Sequence, residues 1–78
     1  MDRQEEGRRL LVRIWFKRFE YVNRTGRNPK HLTLGWEDTL RVWVGMTNGV
    51  QEFRIMKEVF GMECHLLHEL PEGMIVIS

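Results

Sequence analysis

An α+β fold, with a long N-terminal helix packed on a small mixed three-stranded sheet, is predicted by three features of this sequence. From residue 2 to about residue 23 there is one Gly and no Pro, and apolar residues recur every three or four positions. Two later runs, 30–35 and 63–68, are short and closed by Gly or followed by Pro, as strands are. Pro71-Glu72-Gly73 then has turn chemistry, because Pro presets φ and Gly accepts positive φ, and a final apolar run follows at 74–77. The expected order is α-β-α-α-β-β in one domain over residues 1–78, with a helix at 1–25 and a β-α-α-β-β unit at 30–78.

The first helix rests on Leu10, Leu11, Ile14, Trp15, Phe19 and Val22. At about 100° per residue, Glu6, Arg9, Arg13, Lys17, Glu20 and Arg24 fall on one narrow stripe. Nearly everything else from Leu10 to Val22 is apolar, apart from Arg18. An arc that wide exceeds the one-sided stripe of a surface helix. It predicts a helix buried on two sides, or one with apolar surface left for another subunit. The helix should stop near Thr25-Gly26, since Gly supplies the left-handed conformation of a helix end and Pro29 follows.

Lys30-His-Leu-Thr-Leu-Gly35 reads as the first strand. Trp36, Leu40, Trp43 and Val44 then fit one face of a second helix, with Glu37 and Asp38 in the first turn, where carboxylates meet the positive end of the dipole. Val42 and Val44 leave a strand open there. After a turn at Thr47-Asn48-Gly49, the residues Phe53, Met56, Val59 and Phe60 suit a third helix ending at Gly61. The runs 63–68 and 74–77 then form a C-terminal hairpin. A helical crossover from the first strand to 63–68 implies parallel pairing and a right-handed connection. Trp15, Trp36 and Trp43 are expected in the core, with Met46, Met56 and Met62 as filler.

Seventy-eight residues support a single thin core. The one cysteine makes no internal disulfide and suits a reducing compartment. No run approaches the ~18–20 apolar residues of a membrane span, so a soluble cytoplasmic protein is expected. Net charge is only +1, yet residues 1–30 carry nine Lys/Arg against four Asp/Glu, while residues 31–78 carry three against seven. Such asymmetry steers an acidic partner or lets two copies attract head to tail.

Pro29, the strand His31-Leu-Thr-Leu, the acidic pair Glu37-Asp38, Leu40, Phe60-Gly61, the run 63–67 and the ending Leu70-Pro71-Glu72-Gly73-Met74-Ile75 together form a recognisable series. Over residues 28–78 it resembles a strand-helix-strand-hairpin segment of the HK97-like phage capsid family. The resemblance implies a small phage-type protein with a capsid-like subfold, located in the host cytoplasm or the virion. A full capsid subunit is expected to need more than these 78 residues, an extended arm included.

Cys64, His65 and His68 are the one sequence-local group with metal-ligand chemistry. On a strand, Cys64 and His68 stand roughly 13 Å apart and His65 faces the other way, so no single ion is gripped. His31 could join only across a strand pair. The same opposition of faces denies a Cys64/His65 nucleophile pair. No metal, cofactor or catalytic activity is expected. The residues expected to bind a partner protein, or another copy in a homo-oligomer, are Arg9, Arg13, Trp15, Lys17 and Phe19, because Trp and Arg are common interface anchors. The alternative is a nucleic-acid-binding module using Arg9, Arg13, Lys17, Arg24, Arg27 and Lys30 to neutralise phosphates. A solvated face, with Glu6 and Glu20 pairing with those cations, is the bland account of the same stripe.

Overall fold

A computed structural model describes residues 3–47 and 56–78. Helix α1 spans Arg3–Thr25, strand β1 His31–Leu34, helix α2 Trp36–Thr47, and strands β2, β3 and β4 span Glu58–Val59, Met62–Leu66 and Val76–Ile77. The α+β class and the long N-terminal helix are as expected. Gly26 ends α1 at φ 70°, its amide donating to the Val22 carbonyl at 2.8 Å, which is the predicted stop.

Among the described residues the mixed sheet has four strands, not three, in the order β2-β3-β1-β4. As expected, β1 and β3 are parallel, with Leu32 opposite Cys64 and Thr33 opposite His65. Two expectations are corrected. The third helix was to run to Gly61, but Glu58–Val59 is a strand, antiparallel to β3 with Val59 opposite Met62; the earlier part of that helix, residues 48–55, lies outside the described residues. The C-terminal hairpin also fails, because β4 pairs with β1, Leu32 opposite Ile77. The two corrections share one cause. Once β2 folds back through Phe60-Gly61, it occupies the outer edge of β3, and the last strand pairs at the edge of β1. The Pro-Glu-Gly turn does form, with Met74 N–H donating to the Pro71 carbonyl at 3.1 Å and Gly73 at φ 87°. It carries the chain across the sheet end instead of into a hairpin.

The core comprises Leu10 and Ile14 of α1, Leu32 and Leu34 of β1, Val42 of α2, and Val59 and Met62 from the β2-β3 hairpin. Alternation along β1 sends Leu32 and Leu34 inward and leaves His31 exposed. The two helices pack on each other, and Leu10, Ile14 and Val42 share one core with this inward side of β1. Where α1 crosses α2 the backbones nearly touch at Gly7 and Gly45: a Cβ on Gly7 would lie 2.7 Å from the Gly45 Cα and against the Arg41 carbonyl oxygen.

The buried side of α2 is not the one expected. Asp38, Thr39 and Val42 face inward, Leu40, Trp43 and Val44 are half-buried, and Trp36 is exposed, its ring stacked on His68 at 5.8 Å. Of the three tryptophans, Trp15 and Trp36 are thus surface residues, and Met46 is exposed as well. Two polar residues displace them because their hydrogen bonds are met. Thr39 Oγ1 donates to the Gly35 carbonyl at 2.8 Å, while the Asp38 carboxylate accepts from Arg41 at 3.0 Å and from the Gly73 amide at 2.8 Å. Burying a polar group costs little once it is paired.

Candidate interaction surface

Leu10 and Ile14 turn the inner side of α1 to the sheet, and the rest of the wide apolar arc stays outside. Val12, Trp15, Phe16 and Phe19 stand at spacings of three and four and are 53%, 47%, 59% and 54% exposed. They line one strip along the outer surface of α1. Arg9, Arg13 and Lys17, spaced by four, run beside it and are exposed. All five residues expected to bind a partner are therefore on the surface, on two adjoining stripes. Val12 and Phe16 belong to the strip although the sequence reading did not select them; their three- and four-residue spacing from Trp15 and Phe19 was the available signal.

Tertiary contacts hold part of this surface in place. The Trp15 ring meets Phe60 edge-on at 5.2 Å and 72°, and the Arg18 guanidinium lies over Trp15 at 5.5 Å. Arg18 Nε also donates to the Phe60 carbonyl at 3.1 Å. Phe60 has φ 51°, in the left-handed region that a bulky side chain rarely enters, at a cost of roughly 1–2 kcal/mol. That conformation, at the tip of the β2-β3 hairpin, sets the ring against Trp15 and extends the apolar strip beyond the helix.

The basic stripe is partly engaged within the chain. Arg9 pairs with Glu5 at 2.8 Å, and Arg13 Nη2 donates to the Gly73 carbonyl at 2.9 Å. Glu6 approaches Arg41 at 3.8 Å. Further along, Arg24 lies over the Tyr21 ring at 5.7 Å, and Arg27 and Lys30 are exposed in the segment leading to β1. An exposed i,i+4 pair such as Glu5–Arg9 is worth only about 0.3–0.5 kcal/mol and yields easily to a partner's carboxylate.

Between α1, α2 and the Pro-Glu-Gly turn lies a cleft of about 330 Å³ lined by Glu6, Arg13, Asp38, Arg41 and Glu72 among others. Its charges answer one another. Arg41 bonds Asp38 at 3.0 Å and Glu72 at 2.5 Å. Burial opposes the Arg41 charge, but the hydrogen bonds to Asp38 and Glu72 outweigh it and raise its pKa above the ordinary arginine value. This network joins the turn to both helices.

The opposition of faces expected for Cys64 and His65 is present. Cys64 is half-buried against the core, His65 is exposed on the outer sheet face, and His68 stacks on Trp36. Burial first, and Glu58 second, push the Cys64 thiol up to about 11. From an ordinary value of 9.0, such a shift cuts the thiolate fraction at neutral pH by roughly 100-fold. Alkylation by iodoacetamide at pH 7.5 should accordingly be at least ten times slower in the folded protein than in urea, and should accelerate as pH rises toward 11. A folded-state rate matching the unfolded one would show that the thiol is not shielded. The outer face also brings together His31, Glu63 and His65, whose ligand atoms all lie within 4.8 Å of one another.

Among the described residues no helix is long and apolar enough to cross a membrane. Comparison with family models, curated proteins and solved structures finds no match.

Proposed function

We propose that this chain is a non-enzymatic interaction module that docks through the outer face of α1 onto another protein or a second copy of itself. One observation carries the reading: Val12, Trp15, Phe16 and Phe19 form a continuous, half-exposed apolar strip flanked by Arg9, Arg13 and Lys17. Isolated exposed apolar residues are ordinary, whereas a contiguous patch with a polar rim is what docking surfaces present. Fully burying side chains of this kind contributes about 1.5–3 kcal/mol each. The surface that fits has an apolar centre and an acidic rim, and residues 31–78 of the chain itself carry the acidic excess such a rim needs. A phage or mobile-element origin, which the capsid-family resemblance implies, and a cytoplasmic or virion location belong to the same proposal.

Light scattering over a concentration series is the decisive measurement for self-association. The expected result is a mass that rises with concentration, persists in high salt, and returns to monomer in Phe16→Ser/Phe19→Ser with an unchanged circular dichroism spectrum. A fixed monomer mass up to the solubility limit removes self-association and leaves the hetero-partner form. The nucleic-acid alternative rests on the line from Arg9 to Lys30, which has Glu6 and Glu20 on the same stripe to weaken its field. Binding to mixed DNA and RNA fragments that falls steeply with salt would move the assignment there.

A further inference from the structure

We infer that the outer face of the sheet carries a binding site for a divalent transition-metal ion of the zinc class, formed by His31, Glu63 and His65. These residues are 34 positions apart at the extremes, and only the sheet brings them together. β1 and β3 pair in parallel with His31 opposite Glu63 and Thr33 opposite His65. Glu63 and His65 are two apart on one strand and so share a face, and the parallel register puts His31 on that face beside them. Both strands are interior to the sheet order, flanked by β2 on one side and β4 on the other. The frame under the three side chains is therefore fixed, while the side chains themselves are exposed.

The donor set suits the ion. Two imidazoles and a carboxylate are ligands that zinc takes in three-ligand sites, where solvent completes the shell. Tetrahedral zinc with bonds of about 2.0–2.1 Å sets its ligand atoms about 3.3 Å apart. His31 Nδ1 and His65 Nε2 lie 3.0 Å apart, close to that spacing before any ion is present. The Glu63 carboxylate is within 4.8 Å of both nitrogens, a gap that rotation of an exposed side chain closes. Without the ion, one ring donates its N–H to the other's lone pair. In the bound arrangement that ring carries its proton on the nitrogen turned away from the ion, so both imidazoles offer a lone pair. Glu58, opposite Glu63 in the β2-β3 ladder, adds negative charge to the same side of the sheet. Cys64 lies on the opposite face of β3, half-buried against the core, and is not a ligand.

Isothermal titration of the untagged, chelator-treated protein with zinc chloride tests the assignment. One ion per chain is expected, with a Kd of roughly 1–10 µM, weaker than closed four-ligand sites. His31→Ala, His65→Ala and Glu63→Gln should each weaken binding at least ~10-fold while keeping the native circular dichroism spectrum, because all three side chains are exposed. Cys64→Ser and His68→Ala should leave it unchanged. Cobalt(II) should give the visible bands of a low-coordinate nitrogen and oxygen site without thiolate charge transfer. Absence of zinc binding up to about 100 µM, binding indifferent to His31 and His65, or binding lost in Cys64→Ser would each overturn the inference.

Discussion

Asp38→Ala should lower the melting temperature by about 12–24 °C. Asp38 is 2% exposed, and its carboxylate bonds both the Arg41 guanidinium and the Gly73 amide, so it ties α2 to the turn before β4. Removing one member of a buried ion pair costs about 3–5 kcal/mol, since the remaining charge and donors lose their partner. The lower end applies here, because Arg41 is partly exposed and keeps Glu72. About 3 kcal/mol in a domain of 60–100 residues corresponds to the stated shift. Asp38→Asn retains an acceptor for Gly73 and should lose less. Calorimetric or circular-dichroism melts would settle it, and a loss below about 1 kcal/mol would mean that the network is not a structural joint.

Gly7→Ala should destabilise by about 2 kcal/mol, or 8–16 °C, against its own local propensity. In an isolated helix that exchange stabilises by about 1 kcal/mol, because alanine loses less backbone entropy. Here the added methyl would meet the Gly45 Cα and amide nitrogen, both at 2.7 Å, as well as the Arg41 carbonyl oxygen. These are backbone atoms and cannot turn aside, so α1 and α2 must separate. Gly45→Ala meets the Gly7 backbone at 2.8–3.1 Å and should behave alike. The double variant should cost less than the sum, since the helices need to part only once. A Gly7→Ala protein more stable than the parent would refute the close crossing.

Several features were legible because they are local. The 3.6-residue period, the Gly26 stop and the short alternating strand at His31–Leu34 are properties of neighbouring residues, and each formed as expected. Pairing of β1 with β3 followed from the rule that a helical crossover returns parallel. The interaction strip was half legible. Counting apolar positions showed that α1 has more such surface than one face can bury, but not which side stays out. Leu10 and Ile14 won the inner position because Gly7, on the same side, lets α1 sink against α2. Trp15 and Phe16 are too bulky for so close a crossing.

What the sequence by itself determined is the α+β class, the C-terminal stop of the first helix, the existence of the second helix and of the strands around 31–34 and 63–66, and the division of Cys64 and His65 between two faces. These depend on backbone propensity, periodicity and turn chemistry, which act over a few residues. Only the tertiary structure decided that residues 58–59 form a strand, that β4 joins β1, that Asp38 goes inside while Trp15 and Trp36 stay out, and that His31 stands next to His65. Those outcomes depend on which sheet edge is free and which buried polar group finds a partner across the chain. Both are set by long-range hydrogen bonds and packing, which no short stretch encodes.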